Sequence, residues 1–269
     1  MHKILLKINK YLAIFRVSVR DRLAYPLELF YSNIFILLIT FVMSQVWLVV
    51  YAEHPEKLIV GFSLSAMIWY VFITELILTS QPNVILTIGE EIKNGNVAYV
   101  LSKPYSFMSY YFSYFLGRVV VSMLIKAMVG VLLLSLFSPL LGISLWSFLA
   151  GASSVFLAVV LNFVIAGSVS LFAFWLEDIR SLRFIYQKIV FIFGGLLFPI
   201  DVYPEFLQKI IHYLPFEGIL YGPAKTMVNF DLVYWQILVT RQVVWIIIFC
   251  FLIKIIYGQG VKKVNINGG

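Results

Sequence analysis

The chain has 269 residues, of which 62% are hydrophobic and 12% are charged, and its net charge is +7. No charged residue stands between Lys126 and Glu177. A soluble domain of this size cannot bury so long a run, whereas a bilayer can, because about 20 apolar helical residues cross its core of about 30 Å. The basic residues cluster beside the apolar blocks, which indicates membrane topology and not nucleic-acid binding. We predict an all-α membrane protein with six transmembrane helices in a single domain, 1–269, without a soluble catalytic domain.

The N-terminal segment, residues 1–28, is predicted to be a basic amphipathic stretch in the cytoplasm. It interleaves lysines and arginines with apolar residues and has no small-residue cleavage site, so it is not a cleavable signal peptide. The first span is predicted over residues 31–52 and the second over residues 58–79. Glu75 is the only acid within any predicted span.

A polar segment, residues 89–104, follows the second span. Glu90 and Glu91 are expected to open a short helix, because negative charge suits a helix N-terminus. Gly95 permits a break, and apolar residues recur at helical spacing after it. The pattern predicts a short amphipathic helix on the cytoplasmic face; the alternative is an interfacial loop lying on lipid.

Four further spans are predicted towards the C-terminus. The third is placed at residues 117–137, after an aromatic stretch at 110–115 that suits the membrane interface, the fourth at 146–175, the short fifth at 184–199 and the sixth at 232–257. Lysine and arginine are concentrated before the first span, after the fourth and after the sixth. Because such residues mark cytoplasmic loops, both termini and the 89–104 segment are predicted to be cytoplasmic.

Residues 194–227, before the sixth span, are too apolar for a free loop and too interrupted for a span. Glycines and prolines break the segment into short pieces. The breaking residues are Gly194, Gly195, Pro199, Pro204, Pro215 and Pro223, with Phe216 directly after Pro215. Broken helices at membrane depth are tolerated only where protein or a water-filled cavity covers their free backbone groups. We therefore predict re-entrant external half-helices that cap a pathway.

The order of these features resembles the permease subunits of type-2 ABC exporters, of a bacterial branch with poorly assigned substrates. The resemblance rests on the six-span plan, on the motif Glu-Glu-x-x-x-Gly-x(5)-Leu-x-x-Pro from Glu90 to Pro104, and on the proline series before the sixth span. It implies that residues 89–104, hereafter the coupling segment, dock on an ATPase subunit. The implied coupling residues are Glu90, Glu91, Ile92, Gly95, Leu101 and Pro104. It also implies that residues 194–227, hereafter the external segment, close the exit of a path between two permeases. The implied gate residues are its glycines and prolines named above and Phe216.

The resemblance further implies the partners and the location of the chain. No glycine is followed by lysine, so the chain has no Walker A phosphate loop and the energy source is expected in a separate chain. We expect two ABC ATPase subunits that use ATP and Mg, and a second permease in a homodimer or a heterodimer. This chain itself is expected to bind no cofactor and to lie in the bacterial inner membrane.

Three charged residues within or beside the spans are candidates for lining the pathway. Glu75 lies in the second span, and Arg118 and Lys126 share one helix face eight residues apart. The alternative is that the basic pair snorkels to an interface or pairs with neighbouring helices. The histidines are scattered without metal-ligand spacing, so no metal site is expected.

The function predicted from these features is that of a transmembrane exporter subunit for an amphipathic or hydrophobic substrate. The alternative from another class is an integral membrane enzyme that modifies lipids, such as an acyl or phosphoryl transferase. Such an enzyme needs convergent polar groups near one interface, and the adjacent acids Glu90/Glu91 and Glu177/Asp178 have no histidine in their loops. An ion channel is less well supported, because no span carries a repeated polar stripe or a filter-like loop.

Overall fold

The computed structural model describes residues 2–52, 58–97, 103, 105–136, 138 and 144–267, without the side chains of 2–7 and 264–267. In these ranges the regular structure is helical, apart from one bridge between Ile59 and Phe62. The helices are α1 (His2–Leu23), α2 (Pro26–Ala52), α3 (Leu64–Thr79), α4 (Val84–Lys93), α5 (Phe107–Leu134), α6 (Leu145–Ser170), α7 (Arg180–Phe193), α8 (Glu205–Tyr213), α9 (Tyr221–Val228) and α10 (Leu232–Asn267). Short 3-10 turns follow α6 at Leu171–Phe174 and flank α8 at Ile200–Val202 and Phe216–Gly218. The predicted all-α class is confirmed.

Five helical stretches in the described residues are long and apolar enough to cross a membrane. They are Pro26–Ala52, Leu64–Lys93, Phe107–Leu134, Leu145–Phe174 and Leu232–Lys263. They overlap the predicted first, second, third, fourth and sixth spans. The second begins at Leu64 and not at the predicted residue 58, and Leu64–Lys93 joins α3 to α4 across a break at Pro82.

The predicted fifth span, residues 184–199, does not form one long helix. α7 has only 14 residues, a length of about 21 Å against a hydrocarbon core of about 30 Å. It ends because Gly195 adopts a φ of +66°, a left-handed conformation that stops a helix and favours glycine. A sixth helix of spanning length is therefore not found among the described residues.

The third span begins earlier than predicted. The aromatic stretch at 110–115 is part of one continuous helix, α5, which starts at Phe107. No glycine or proline interrupts the chain between Phe107 and Gly117, so nothing separates an interfacial piece from the crossing. The predicted end at Phe137 lies outside the described residues.

The centre of the fold is formed by α3 and α6. In the two spans that contain α3 and α6, 56% and 61% of the residues of the most apolar stretch are buried. The corresponding share is 22% in α2 and 6% in α10. α1 runs parallel to α5, since Tyr11, Ser18 and Arg22 bond in order to Ser106, Tyr114 and Ser122. The exposed apolar faces therefore belong to the peripheral helices, as expected where lipid or another membrane chain surrounds the bundle.

Candidate functional site

A polar cavity of about 360 Å³ lies where α1, α2 and α5 meet the break between α3 and α4. Its charged and polar lining includes Arg22, Glu28, Ser80, Gln81, Tyr114 and Arg118. The break arises because Pro82 cannot continue α3, and Asn83 starts α4 by accepting a hydrogen bond from the Leu86 amide at 3.2 Å. This turn places Ser80, Gln81 and Asn83 at the wall of the cavity.

Two ion pairs hold the arginines of this cavity. Arg22 contacts the Glu28 carboxylate and donates from Nε to the Ser122 hydroxyl at 2.9 Å. Arg118 donates from Nη1 to Asp21 at 3.0 Å, and the Tyr114 hydroxyl donates to the same carboxylate at 2.8 Å. The guanidinium groups are largely covered, with side-chain exposures of 7% and 22%, whereas the Glu28 side chain is 56% exposed.

Arg118 and Lys126 do not have the same surroundings. Arg118 lines the polar cavity, whereas Lys126 has no exposed surface and does not line it. The Lys126 ammonium donates to the Thr79 carbonyl oxygen at 2.6 Å and to the Thr79 hydroxyl at 2.9 Å. Because Thr79 is the last residue of α3, Lys126 satisfies a carbonyl group that has no partner within the helix. Glu75, 4% exposed, lies one turn before Thr79 in the same buried region.

The coupling segment differs from its prediction in where its helix begins. Glu90 and Glu91 occupy the last turn of α4, not the first turn of a new helix, because Asn83 already starts the helix seven residues earlier. Gly95 does provide the predicted break, with a φ of +75° just after the α4 C-cap. Leu101 and Pro104 lie outside the described residues.

The predicted coupling residues differ in how far a partner could reach them. Glu90 and Gly95 are exposed and Glu91 is half-buried beside Tyr111. Ile92 is buried against the rest of the chain, with 7% exposure. Ile92 therefore anchors α4 in the bundle and leaves Glu90 on the surface.

The end of α4 packs against the loop between α6 and α7. A Cβ atom on Gly89 would overlap the Ile179 side chain, so any larger residue at this position has to displace Ile179. The contact brings Glu177, Asp178 and Arg180 beside Glu90 and Lys93 around a cavity of about 170 Å³. Sequence reasoning treated the 177–178 acids only as enzyme candidates. The signal that could have found them is that both loops were predicted on the same side of the membrane.

The external segment contains the short helices that its prolines predict. Pro199, Pro204 and Pro215 each stand immediately before a helical turn or helix, and Pro223 lies in the first turn of α9. The turn at Gly194 and Gly195 is fixed from α3, since Tyr70 donates to the Gly195 carbonyl and Thr74 donates to the Leu196 carbonyl at 2.8 Å. Phe216 packs against Phe193 of α7, with ring centroids 6.4 Å apart.

Two charged clusters hold this segment together, and neither was predicted. In the first, the Lys225 ammonium contacts Asp201 at 3.1 Å, and the Tyr221 hydroxyl donates to the same carboxylate. The second surrounds Glu217, which is 2% exposed.

Glu217 contacts three side chains, one from α8 and two from α10. His212 Nδ1 lies 2.8 Å from its carboxylate, the Tyr234 hydroxyl donates to it at 3.0 Å and Arg241 Nη1 donates at 3.3 Å. The hydrogen bond to Glu217, together with the negative charge of that carboxylate, raises the pKa of His212 above its ordinary value. Glu217 lies in the 3-10 turn between α8 and α9 and its partners come from α8 and α10, so the cluster fixes α8 against α10.

The structure thus separates the predicted site residues that it describes into four regions. Glu90, Glu91 and Gly95 lie together at the end of α4, and the glycines and prolines of the external segment lie around α8 and α9. Arg118 lines the polar cavity, whereas Glu75 and Lys126 are buried near the end of α3. Within the described part of the chain, no group of three His, Cys, Asp or Glu residues is arranged to hold a metal ion.

Comparison with known proteins identifies one family. Residues 34–268 match the family described as ABC-2 family transporter protein. The match includes most of α2 and every later helix, and thus the coupling segment, the α6–α7 loop and the external segment. No curated protein matches the chain.

Proposed function

The chain belongs to the ABC-2 family of transporter proteins and is thus a multi-pass membrane subunit of an ABC transporter, and we propose that it is the permease of an ATP-driven exporter. Family membership favours this transporter subunit over the alternative of a lipid-modifying enzyme. Permeases of this family associate in general with an ABC ATPase. The proposal adds direction, copy number and substrate: two ATPases, a second permease, ATP and Mg bound by the ATPases, and an amphipathic or hydrophobic substrate.

The proposed ATPase contact is the surface formed by the end of α4 and the α6–α7 loop. It consists of Glu90, Lys93, Glu177, Asp178 and Arg180. Exposed charges of both signs suit an interface that forms between a membrane subunit and a soluble one. The close contact at Gly89 joins the two loops, so that a movement of the ATPase at either loop moves the other.

The proposed topology keeps six crossings with both termini in the cytoplasm of a bacterial inner membrane. α7 and the turn at 194–199 together form the fifth crossing, and Leu196 and Ile200 are buried at its far end. α8 and α9 then lie on the outer side as the external gate, re-entrant between the fifth and sixth crossings. The apolar outer faces of α2 and α10 contact lipid or the second permease.

The single observation that carries the proposal is the family match over 34–268. The test is to purify the tagged chain from its own cells, identify the co-purifying ATPase and compare ATP hydrolysis by the complex and by the chain alone. We expect hydrolysis only in the complex. Robust hydrolysis by the isolated chain would refute the assignment as a permease subunit.

Charge reversal tests the proposed contact surface. Glu90→Lys should weaken ATPase capture about tenfold or more, because a hydrogen bond to a charged group contributes about 1.5–3 kcal/mol. The matched control is Glu205→Lys in α8, whose side chain is 86% exposed on the opposite side in the proposed topology. Equal loss of capture in both variants would show that the effect does not come from the α4 surface.

A further inference from the structure

The polar cavity between α1, α2 and α5 has unused hydrogen-bonding capacity. Ser80 is 2% exposed, and its hydroxyl has no hydrogen-bond partner among the described residues; the same holds for the Nε2 amide of Gln81. Both residues line the cavity, and their two unpaired atoms are covered, so a ligand reaches them when these side chains turn towards the cavity. Burying a polar group without a partner is unfavourable, so a ligand that bonds to these groups is favoured.

The unused groups are mainly donors. The Ser80 hydroxyl and the Gln81 amide can both donate, and Arg118 Nη2 lies 4.0 Å from the Glu28 carboxylate, too far for a hydrogen bond. Donors that include a guanidinium group match the oxygens of a phosphate. The cavity therefore favours a ligand rich in acceptor oxygens.

The charge balance narrows the ligand class further. Both arginines of the cavity already contact carboxylates, Arg22 with Glu28 and Arg118 with Asp21. A plain anion would add negative charge to a neutral set of ion pairs. The Glu28 side chain is 56% exposed and can contact a second, cationic group of the same ligand without leaving Arg22. A ligand that carries both charges keeps the cavity neutral.

We propose that this cavity binds a phosphate ester that carries an ammonium group, with its phosphate oxygens on Arg118, Ser80 and Gln81 and its ammonium on Glu28. This chemistry occurs in the head group of a zwitterionic phospholipid and in free glycerophosphoethanolamine. The volume of about 360 Å³ lies within the range of about 300–1,000 Å³ that small-molecule sites occupy. Binding requires neither the ATPase nor transport, so the inference stands apart from the proposed function.

The lipid source is favoured by the position of the cavity. α2 and α5, two of its walls, are spans with exposed apolar faces, and Phe115, which is buried, lines the cavity beside Tyr114. A lipid could therefore place its head group between these helices and leave its acyl chains against their outer faces. In the proposed topology, a lipid bound in this way belongs to the inner leaflet of the membrane.

The binding test uses the purified full chain and short-chain dihexanoyl lipids in titration calorimetry. We expect dihexanoyl phosphatidylethanolamine to bind about tenfold or more tightly than dihexanoyl phosphatidylglycerol, because the latter has no cation for Glu28. Glycerophosphoethanolamine, the same phosphodiester head group without acyl chains, separates the two sources: weaker binding than the lipid supports a membrane source, and equal binding supports a soluble one. If neither ammonium compound binds more tightly than phosphatidylglycerol and inorganic phosphate, the proposal is wrong.

Three variants and a control assign the roles of the residues. Glu28→Gln should remove the preference for the ammonium lipid while binding of phosphatidylglycerol remains, and Arg118→Gln should weaken both lipids. Lys188→Gln, at an exposed position of α7 outside the cavity, is the control and should change neither. Ser80→Ala removes only a hydroxyl and should weaken both lipids without changing the preference, which tests the site if a charge variant folds poorly. A native preference that survives Glu28→Gln in folded protein would overturn the assignment of Glu28.

Discussion

Lys126 shows how a charged residue within a span can be structural. Its ammonium is fully buried and bonds to the last carbonyl group of α3 at Thr79, where a cation also suits the negative end of the helix dipole. Lys126→Met keeps most of the length of the side chain and removes both hydrogen bonds. We expect a loss of about 1–3 kcal/mol, because the Thr79 carbonyl is left without a donor.

Thermal unfolding in lipid nanodiscs measures this loss. Lys262→Met, at an exposed position of α10, is the control and should leave the melting temperature almost unchanged. If the two variants melt alike, Lys126 does not stabilise the junction of α3 and α5 and its role as a pathway charge regains support.

His212 gives the external segment a pH dependence. Its pKa is raised by the hydrogen bond to Glu217, so the folded protein holds the proton more tightly than the unfolded chain does. This contribution to stability is fully present below the ordinary histidine pKa and is lost as the pH rises through the raised value. We expect the melting temperature of the native chain to fall across that window.

The matched variant is His212→Gln, which keeps a hydrogen-bond donor but cannot titrate. Its melting temperature should depend less on pH than that of the native chain between about pH 6 and about pH 9. An identical pH dependence in the variant would mean that another group is responsible.

At the scale of elements, the packing of α4 decides where the coupling acids point. Gly89→Leu places a side chain where Ile179 already lies, and overpacking of this kind costs about 1–3 kcal/mol. We expect the variant to push α4 away from the α6–α7 loop and to weaken ATPase capture although Glu90 is unchanged. Co-purification of the ATPase is the measurement.

A second substitution shows whether the contact itself is responsible. Ile179→Ala frees space beside Gly89, so the double variant Gly89→Leu with Ile179→Ala should recover much of the lost capture. Capture that is normal in the single variant would show that the ATPase does not depend on the joined loops.

The elements that sequence predicts well are those fixed by hydrophobicity alone. The first span was placed at 31–52 and α2 ends at Ala52; the fourth was placed at 146–175, and α6 with its 3-10 turn covers Leu145–Phe174. The sequence does not predict the start of α4, because Pro82 marks the end of one helix, although Asn83 after it is a good N-cap for the next. Composition alone does not show whether the proline ends the helical region or whether the N-cap residue starts a second helix after it.

At the scale of the whole molecule, sequence fails where contacts join distant parts of the chain. Glu217 contacts His212, Tyr234 and Arg241, which lie on helices that prolines and turns separate. The hydrophobic periodicity of the sequence does not show how these helices are placed relative to one another. The polar cavity is similar, since Arg22 and Ser122 lie a hundred residues apart. The family and the fold class can thus be read from the order of apolar blocks and motifs, whereas the side-chain partners require the folded chain.

The number of crossings is the remaining property of the whole molecule, and α7 decides it. If α7 and the turn at 194–199 cross the membrane together, α8 lies on the outer side and the end of α4 lies in the cytoplasm. Single cysteines introduced at Glu205 and at Glu90, with Cys250 replaced by Ala, test this with an impermeant thiol reagent on intact cells. We expect labelling at position 205, which is exposed, and none at position 90 until the membrane is opened. Labelling of both positions from outside would place α4 on the outer face and contradict the coupling role. Protection of both in intact cells would mean that α7 does not complete a crossing, because α8 would then lie on the same side as α4.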